Sequence, residues 1–487
     1  MRIGLLVAAG LLAGLGQAPW GLWPLALLGY AAGLRLLAES KRPFLAGWSF
    51  GTAHFALVLH WITEPFLVDA AATGWLMAPA LLAVSLGMGL FWAIAAALGH
   101  RMGGAMAIAL GLCAAELTRS YIFTGFPWAL PGHILIDTAA LPSASVFGAH
   151  GLGLFVLLGA AFVASAKVRP VLIGSVFWAV PFATAAILSP PPTSTSDAPV
   201  IRLVQPNAPQ HQKWDPAFMP IFFQRGLEAT VAPSTLDAPS VVIWPETALP
   251  ELIRYSADVR PMIARAAGGV PVVIGAQRFD PEGNPRNALV VLEGPEGDIA
   301  LVQDKHRLVP FGEYLPLPWL SEALGLGPLA AQLAGRYAAG DGPRTFDLPG
   351  IGSVLPMICY EAIFPQDLRR VDRPRAILHL TNDAWFGTFA GPQQHLALAK
   401  LRAAEAGLPL LRAANTGVSA VLDARGQILA SLELGKDGHV DAPLPAALTV
   451  TPYARTGDWS AVVALVLAFL ALLAWRAKAV APRSVPL

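Results

Sequence analysis

The sequence predicts a bundle of membrane-spanning helices joined to a separate layered α/β domain. The chain of 487 residues is 55% hydrophobic and only 13% charged, whereas an ordinary soluble domain is about 25% charged. Eight apolar runs have about the length that crosses a bilayer as a helix. Between the seventh and the eighth run, short apolar strands alternate with helical patterns, which is typical of layered α/β domains.

The predicted spans lie mostly before residue 190. They occupy residues 3–18, 20–38, 44–62, 75–98, 103–121, 143–166, 170–188 and 459–475. A tight turn at Gln17, Ala18 and Pro19 makes the first two spans a helical hairpin. The first run could instead be a signal peptide with Arg2 as its charged start. We favour a span, because no convincing cleavage site precedes the next apolar run.

Positive charges predict the orientation of the bundle, because cytoplasmic loops are enriched in Lys and Arg. With the N-terminus in the cytoplasm, the short outer loops carry only Arg119. The inner segments carry Arg2, Arg35, Lys41, Arg42, Arg101, Lys167, Arg169, Arg476, Lys478 and Arg483. We therefore expect both termini in the cytoplasm and the α/β domain on the opposite side of the membrane.

Glu116 is an unusual ionisable residue inside a predicted span. A carboxylate within the bilayer is costly and is usually paired, and Arg119 lies on the same helix face. We favour a structural ion pair, with a proton relay as the alternative. The aromatic turn at residues 123–128 either lines a lipid entrance or caps the bundle.

A linker rich in Pro, Ser and Thr at residues 189–196 marks the start of the α/β domain. We therefore divide the chain into a membrane bundle (1–189), an α/β domain (190–455), and a last span with its tail (456–487). Helices are predicted at 217–229, 259–267 and 393–405. Strands are predicted at 200–205, 240–244, 270–276, 288–293, 299–303, 353–359, 376–381, 410–414, 419–422 and 427–432.

Three predicted strand ends carry polar side chains that could act together. Glu246 follows the strand at 240–244, Lys305 follows the strand at 299–303, and Cys359 ends the strand at 353–359. A thiol becomes a good nucleophile only when a base or a charged neighbour activates it. Glu246 could take the thiol proton or serve as the charge partner of the thiolate, two roles that the sequence does not distinguish. Lys305 and the backbone N–H of Tyr360 could stabilise an oxyanion.

Each of these residues also has an ordinary explanation. Cys359 could be a buried core thiol, Glu246 a charge at a helix start, and Lys305 a solvated strand end. The net charge of +1 gives no reason to expect nucleic-acid binding. Cys113 and Cys359 form neither a disulfide framework nor a zinc motif. We expect no metal, no organic cofactor and a monomeric protein.

The motifs at these strand ends resemble those of the nitrilase, or carbon–nitrogen hydrolase, superfamily. They are Trp244-Pro245-Glu246, residues 305–314, and Cys359-Tyr360-Glu361. The fused membrane bundle is similar to one branch, the bacterial apolipoprotein N-acyltransferases. That resemblance extends to residues 123–128, 205–207, 213–214 and 381–387, although residues 205–210 depart slightly from the usual pattern. It implies an αββα sandwich on eight transmembrane helices, on the periplasmic side of the inner membrane.

The resemblance also implies roles for individual residues. Cys359 would be the nucleophile, Glu246 the general base and acid, and Lys305 the oxyanion stabiliser. Supporting positions are matched by Glu313, Tyr360 and Glu361, and substrate-binding positions by Trp214, Asn287 and Trp385.

The implied reaction is a ping-pong acyl transfer. A phospholipid, with phosphatidylethanolamine as the expected donor, would acylate Cys359, and the amino group of a diacylglyceryl apolipoprotein would accept the chain. Residues 316–336 could form a lid or an ordinary surface excursion. The alternative functions are a membrane-tethered nitrilase-like amidase, and a transporter or receptor whose α/β domain has lost its chemistry.

Overall fold

The computed structural model describes residues 2–188, 190, 197–316 and 337–480. The chain forms two compact units, one comprising Met1–Ser189 with Thr451–Leu487 and the other comprising Pro190–Val450. Apart from Pro190 and Pro316, the predicted linker at 189–196 and the predicted lid or excursion at 316–336 lie outside the described residues.

The first unit is helical, and each of the eight predicted runs contains a helix. These helices are Arg2–Gly14, Trp23–Ala38, Pro43–Val58, Met77–Met102, Gly104–Arg119, Ala144–Val163, Val168–Ile187 and Trp459–Val480. Two short helices, Ala70–Thr73 and Pro452–Thr456, belong to the same unit. Shorter 3-10 turns include His60–Leu67, Ile122–Thr124, Pro131–Leu135 and Leu141–Ser143.

Four helices of the described chain are long and apolar enough to cross a membrane, judged by length and composition. They are Ala70–Met102, Leu141–Val163, Val168–Ile187 and Trp459–Lys478. Arg2–Gly14, with 13 residues, and Trp23–Ala38, with 16, are apolar but shorter. The structure therefore supports a membrane protein, and the count of eight spans remains a prediction.

Glycines allow the helices of this unit to approach closely. A Cβ added to Gly10 would lie 2.3 Å from the carbonyl oxygen of Phe50, and one added to Gly47 would lie 2.7 Å from that of Trp92. Small residues serve the same purpose in membrane helix packing generally, because association there depends on close van der Waals contact.

The predicted ion pair between Glu116 and Arg119 is confirmed. Arg119 Nη2 contacts Glu116 Oε2 directly, and both side chains are buried. Trp92 Nε1 donates to the other carboxylate oxygen at 2.5 Å, and Arg119 Nη1 donates to the Phe126 carbonyl at 2.5 Å. The pair therefore ties two helices to the aromatic turn, a connection that the sequence spacing did not reveal.

The second unit contains two six-stranded sheets. The strands are β1 Val200–Gln205, β2 Val241–Ile243, β3 Val272–Phe279, β4 Pro285–Glu293, β5 Asp298–Asp304, β6 Phe346–Leu348, β7 Gly352–Ile358, β8 Ala376–Thr381, β9 Leu410–Ala414, β10 Ser419–Leu422, β11 Ile428–Leu432 and β12 Gly438–Pro443. The first sheet has the order β12-β1-β2-β3-β4-β5 and the second the order β11-β10-β9-β8-β7-β6. Strands β1 to β3 pair in parallel, as do β7 to β9, and the outer pairs are antiparallel.

The sheets pack face to face and helices cover their outer faces. Alternate strand residues such as Ile243 and Leu378 fill the core between the sheets. Helices Met219–Val231 and Arg260–Ala266 pack on the first sheet, and Gly391–Ala406 packs on the second. The predicted α/β class is thus confirmed, and the layers form the αββα arrangement that the resemblance implied.

The ten predicted strands are present, but two edge strands were missed. Strand β6 has only three residues, and β12 alternates polar with apolar residues instead of forming an apolar run. Its Asp441 forms a bidentate pair with the buried Arg202 of β1, with N–O distances of 2.8 and 2.7 Å. This long-range pair, and not local hydrophobicity, helps to hold β12 at the sheet edge.

We predict that Gly226→Ala destabilises the α/β domain. A Cβ there would lie 2.4 Å from the ring of Trp244, which is buried and donates to Thr230 Oγ1 at 2.9 Å. Overpacking of this kind typically costs about 1–3 kcal/mol. Thermal unfolding of the purified full-length protein measures the effect, with the exposed Gln224→Ala on the same helix as control. Equal melting temperatures for the two variants would contradict the prediction.

Candidate active site

Glu246, Lys305 and Cys359 all lie just beyond the ends of strands. Glu246 follows β2 and Lys305 follows β5 in the first sheet, and Cys359 follows β7 in the second. They are 5%, 1% and 5% exposed, respectively. The ordinary explanation of Lys305 as a solvated strand end is therefore wrong.

Glu246 is held by donors from both sheets. Its Oε1 accepts from Asn287 Nδ2 at 2.7 Å and lies 3.5 Å from Lys305 Nζ. Its Oε2 accepts from the backbone N–H of Asn382, which follows β8 in the second sheet, at 2.8 Å. The carboxylate therefore has a fixed orientation and bridges the two sheets.

Lys305 lies between two carboxylates. Its Nζ is 2.8 Å from Glu313 Oε1, and Glu313 Oε2 accepts from the N–H of Val309 at 2.7 Å. Burial opposes the charge of Lys305, but attraction to Glu313 and Glu246 raises its pKa well above the ordinary value. Lys305 is therefore a buried cation with a carboxylate on each side.

Cys359 occupies a strained turn at the start of the short helix Cys359–Ile363. Its φ of +52° lies in the left-handed region, which non-glycine residues adopt at a cost and often at functional sites. Burial, and then the charge of Glu246, raise the pKa of the thiol, whereas Lys305 and a hydrogen bond with Thr381 lower it. The resting thiol is protonated, so a nucleophilic role requires a base.

Glu361 links the loop after Lys305 to the turn at Cys359. Its Oε1 accepts from the N–H groups of His306 at 2.6 Å and Arg307 at 3.1 Å, and its Oε2 accepts from the N–H of Ile358 at 2.7 Å. The residue is 2% exposed. Glu361 thus supports the site by fixing two backbone segments.

Asp367 forms a second link between the loop after Lys305 and the segment after Cys359. Asp367 accepts from Arg307 Nε at 2.6 Å and lies 3.0 Å from His306 Nε2. Tyr360 is buried and packs edge-on against Phe364 at 5.1 Å between ring centroids. The Arg307 guanidinium lies over the same Phe364 ring, 4.2 Å from its centre.

The three predicted substrate-binding residues occupy different places. Asn287, on β4, contacts Glu246 directly, and its buried Oδ1 has no hydrogen-bond partner among the described residues. Trp214 is 40% exposed and lines a partly open pocket together with Lys213 and Thr247. Trp385, also 40% exposed, lies in the short helix Asp383–Phe386 after β8.

Two contributors to the site had no role in the sequence analysis. Asn382 supplies a backbone donor to Glu246. Lys213 Nζ donates to Thr247 Oγ1 at 2.7 Å and to the Glu246 carbonyl at 3.3 Å. Burial lowers the pKa of Lys213 to about 8, although Glu246 and Cys359 act in the opposite direction. Lys213 and Asn382 lie in residues 213–214 and 381–387, which belong to the family resemblance. That resemblance was the signal in the sequence that could have identified them.

The sequence also matches known families over most of its length. Residues 9–162 match the apolipoprotein N-acyltransferase N-terminal domain, and residues 202–453 match the carbon-nitrogen hydrolase model. A relative named apolipoprotein N-acyltransferase from Caulobacter vibrioides is 38% identical and covers 96% of this chain and 92% of its own. One of the same name from Rhodopseudomonas palustris is 35% identical, with 96% and 93% covered.

The chain belongs to the apolipoprotein N-acyltransferase family. It is therefore an N-acyltransferase of lipoproteins with a nitrilase-like α/β domain and a membrane unit. Among solved structures, a mutant of a Nesterenkonia amidase from the nitrilase superfamily is 18% identical over 52% of this chain and 93% of its own, with a TM-score of 0.34. This structural similarity carries no argument. The assignment to the family rests on the sequence matches.

We predict that Glu361→Ala lowers the unfolding free energy by about 2 kcal/mol or more, because it leaves three buried N–H groups without their acceptor. N-acyltransferase activity should fall as well, since the loops bearing Lys305 and Cys359 lose their connection. Glu361→Gln retains one acceptor oxygen and should lie between wild type and the alanine variant. The exposed Glu251→Ala is the control, and a Glu361→Ala variant that equals it in stability and activity would refute the role.

The stability of the α/β domain should decrease as the pH rises above neutrality. Burial opposes protonation of His306, but hydrogen bonds to Asp367 and Glu361 raise its pKa to about 9. Because the folded pKa lies above the unfolded one, this contribution to stability is full below about pH 6.5 and is lost as the pH approaches 9.

The test compares urea unfolding of the wild type and of His306→Gln at about pH 6.5, 8 and 9.5. The wild type should lose more stability over this range than the variant does. Parallel pH profiles would show that His306 does not carry the effect.

Proposed function

We propose that the protein transfers an acyl chain from a membrane phospholipid, through a thioester on Cys359, to the α-amino group of a diacylglyceryl-cysteine at the N-terminus of an apolipoprotein. This is the last step of bacterial lipoprotein maturation. The observation that carries the proposal is the contact of the buried Lys305 with Glu246 and Glu313, in a chain of this family. Lys305 and Glu246 are close enough to Cys359 for their charges to act on its thiol.

In the first half-reaction, Glu246 accepts the proton of the Cys359 thiol as the sulfur attacks the ester carbonyl of the phospholipid. Lys305 Nζ and the N–H of Tyr360 stabilise the oxyanion of the tetrahedral intermediate. When the intermediate collapses, the C–O bond to the glycerol breaks. Glu246 returns the proton to the leaving lysophospholipid, and the acyl chain remains on sulfur as a thioester.

In the second half-reaction, the neutral α-amine of the acceptor attacks the thioester carbonyl. The same donors hold the oxyanion, Glu246 takes a proton from the attacking nitrogen, and the C–S bond breaks. That proton then restores the Cys359 thiol, so the enzyme returns to its starting state with an amide formed. The buried Oδ1 of Asn287, which has no partner among the described residues, is an acceptor suited to an N–H of the incoming amine.

We further propose that the catalytic domain is periplasmic and that eight helices span the inner membrane, with both termini in the cytoplasm. The Lys and Arg distribution supports this orientation, and four long apolar helices support the membrane location. Both substrates carry lipid anchors, so the reaction requires a site at a membrane surface. Phosphatidylethanolamine, cleaved at its sn-1 ester, is the proposed donor.

We predict that the purified protein, incubated with phosphatidylethanolamine vesicles and no acceptor, gains the mass of one acyl chain. Hydroxylamine should remove this mass, because thioesters are sensitive to it. Cys359→Ala should gain nothing, and Cys113→Ala, which removes the other cysteine, should behave as wild type. Intact-protein mass spectrometry measures the adduct, and lipid analysis identifies the lysophospholipid.

An adduct that persists in Cys359→Ala, or the absence of any adduct on the wild type, would contradict the mechanism. Hydrolysis of small amides without an acyl adduct would favour the tethered amidase instead.

A parallel experiment with phosphatidylglycerol vesicles tests whether the enzyme selects the headgroup of the donor lipid. Equal rates with the two lipids would overturn the assignment of phosphatidylethanolamine as the specific donor while leaving the thioester step intact.

A further inference from the structure

The carbonyl oxygen of Cys359 lies between two buried imidazole rings. His379 Nε2 is 3.1 Å from this oxygen and His395 Nε2 is 3.2 Å from it. His379 is on β8 and His395 is on the helix Gly391–Ala406. Both residues are fully buried, and the proposed mechanism gives neither of them a task.

Arg412 and Asp383 hold these two rings in place. Arg412 Nη1 lies 2.9 Å from His379 Nδ1, and its Nη2 donates to Asp383 Oδ2 at 2.5 Å. Asp383 Oδ1 lies 2.9 Å from His395 Nδ1. All four residues are fully buried, and a buried polar network of this kind fixes orientations strongly when its contacts are satisfied.

The tautomer of His379 follows from these contacts. A guanidinium only donates hydrogen bonds, so His379 Nδ1 accepts from Arg412 and Nε2 carries the ring proton. Burial, and then the charge of Arg412, lower the pKa of His379 well below its ordinary value, which keeps the ring neutral. His379 therefore donates to the Cys359 carbonyl. The ring nitrogens of His395 face Asp383 Oδ1 and the same carbonyl, and Arg412 Nη2 lies 3.5 Å from its Nδ1. Burial, the largest effect, lowers the pKa of His395, whereas Asp383 and the Cys359 carbonyl act in the opposite direction. A proton on Nε2 makes His395 the second donor to the Cys359 carbonyl.

The Cys359 carbonyl belongs to the same planar peptide unit as the N–H of Tyr360. In a trans peptide the two groups point in opposite directions, so fixing the carbonyl fixes the direction of the N–H. Hydrogen bonds accepted by a carbonyl also polarise the peptide and strengthen its N–H as a donor. The left-handed φ of Cys359 makes such an anchor useful, because the strained conformation must be maintained by its surroundings.

We propose that His379 and His395 are positioning residues that orient and polarise the Cys359–Tyr360 peptide, so that the Tyr360 N–H serves as an oxyanion donor. Arg412 and Asp383 act one step further away, by orienting the two rings. This inference rests on the proposed acyl transfer through Cys359. It assigns a task to a network built from β8, β9 and the helix Gly391–Ala406.

The experiment separates oxyanion stabilisation from thiol reactivity in a Cys113→Ala background. Acylation of Cys359 by p-nitrophenyl butyrate passes through a tetrahedral oxyanion and releases p-nitrophenolate. Alkylation of Cys359 by iodoacetamide breaks a C–I bond at a saturated carbon and forms no oxyanion. Rates of both reactions are measured at one pH for His379→Leu, His395→Leu, the double leucine variant, and the two single Gln variants.

We expect each leucine variant to acylate about 10-fold more slowly, and the double variant about 100- to 1,000-fold, the range for loss of an oxyanion-hole donor. Glutamine retains an N–H at the reach of Nε2, so His379→Gln and His395→Gln should recover most of the rate. Alkylation should stay within about 3-fold of the parent in every variant, since it does not use the oxyanion donor. His439→Leu, on β12, is the control and should change neither reaction.

Three results would overturn the proposal. Acylation that is unchanged in the double leucine variant would remove any role for the histidines. A parallel loss of alkylation and acylation would indicate general disruption of the turn. Failure of both glutamine variants to recover acylation would show that the donated hydrogen bond is not what matters. A wild type that reacts with the activated ester but not with phospholipid refutes the proposed function and leaves this test intact.

Discussion

The site depends on a buried ammonium group held between two carboxylates. Lys305 has its Nζ 2.8 Å from Glu313 and 3.5 Å from Glu246. Taking such charges out of water is costly unless hydrogen bonds satisfy the remaining oxygens. The structure satisfies them with Asn287 and with the backbone N–H groups of Val309 and Asn382. Much of the local backbone around the site is therefore arranged to keep one cation in place.

The packing of two sheets makes this arrangement possible. Glu246 and Lys305 come from one sheet and Cys359 from the other, and the core between the sheets, with Ile243 and Leu378 among its members, fixes their separation. Side chains anchored at strand ends lose little entropy when substrate binds, because the rigid sheets have already ordered them. The same packing lets Glu246 accept a hydrogen bond from the opposite sheet.

Burial also sets the resting state of the proposed nucleophile. It raises the pKa of the Cys359 thiol, so the resting sulfur is neutral and less prone to oxidation or random alkylation than an exposed thiolate. The proposed reaction then needs Glu246 to remove the proton and Lys305 to stabilise the oxyanion in the same step. Exclusion of water from such a site protects a thioester until an amine arrives, which suits transfer better than hydrolysis.

The sequence by itself determined the two-part organisation, the ten main strands and the identity of the three strand-end residues. These features are local: apolar periodicity defines a helix or a strand without reference to distant residues, and the motifs are contiguous. Tertiary structure alone decided which groups meet. Asn382 reaches Glu246 across a separation of 136 residues, and His379 and His395 reach the Cys359 carbonyl from two other elements. No periodicity encodes such contacts, because they exist only once the sheets and helices have packed.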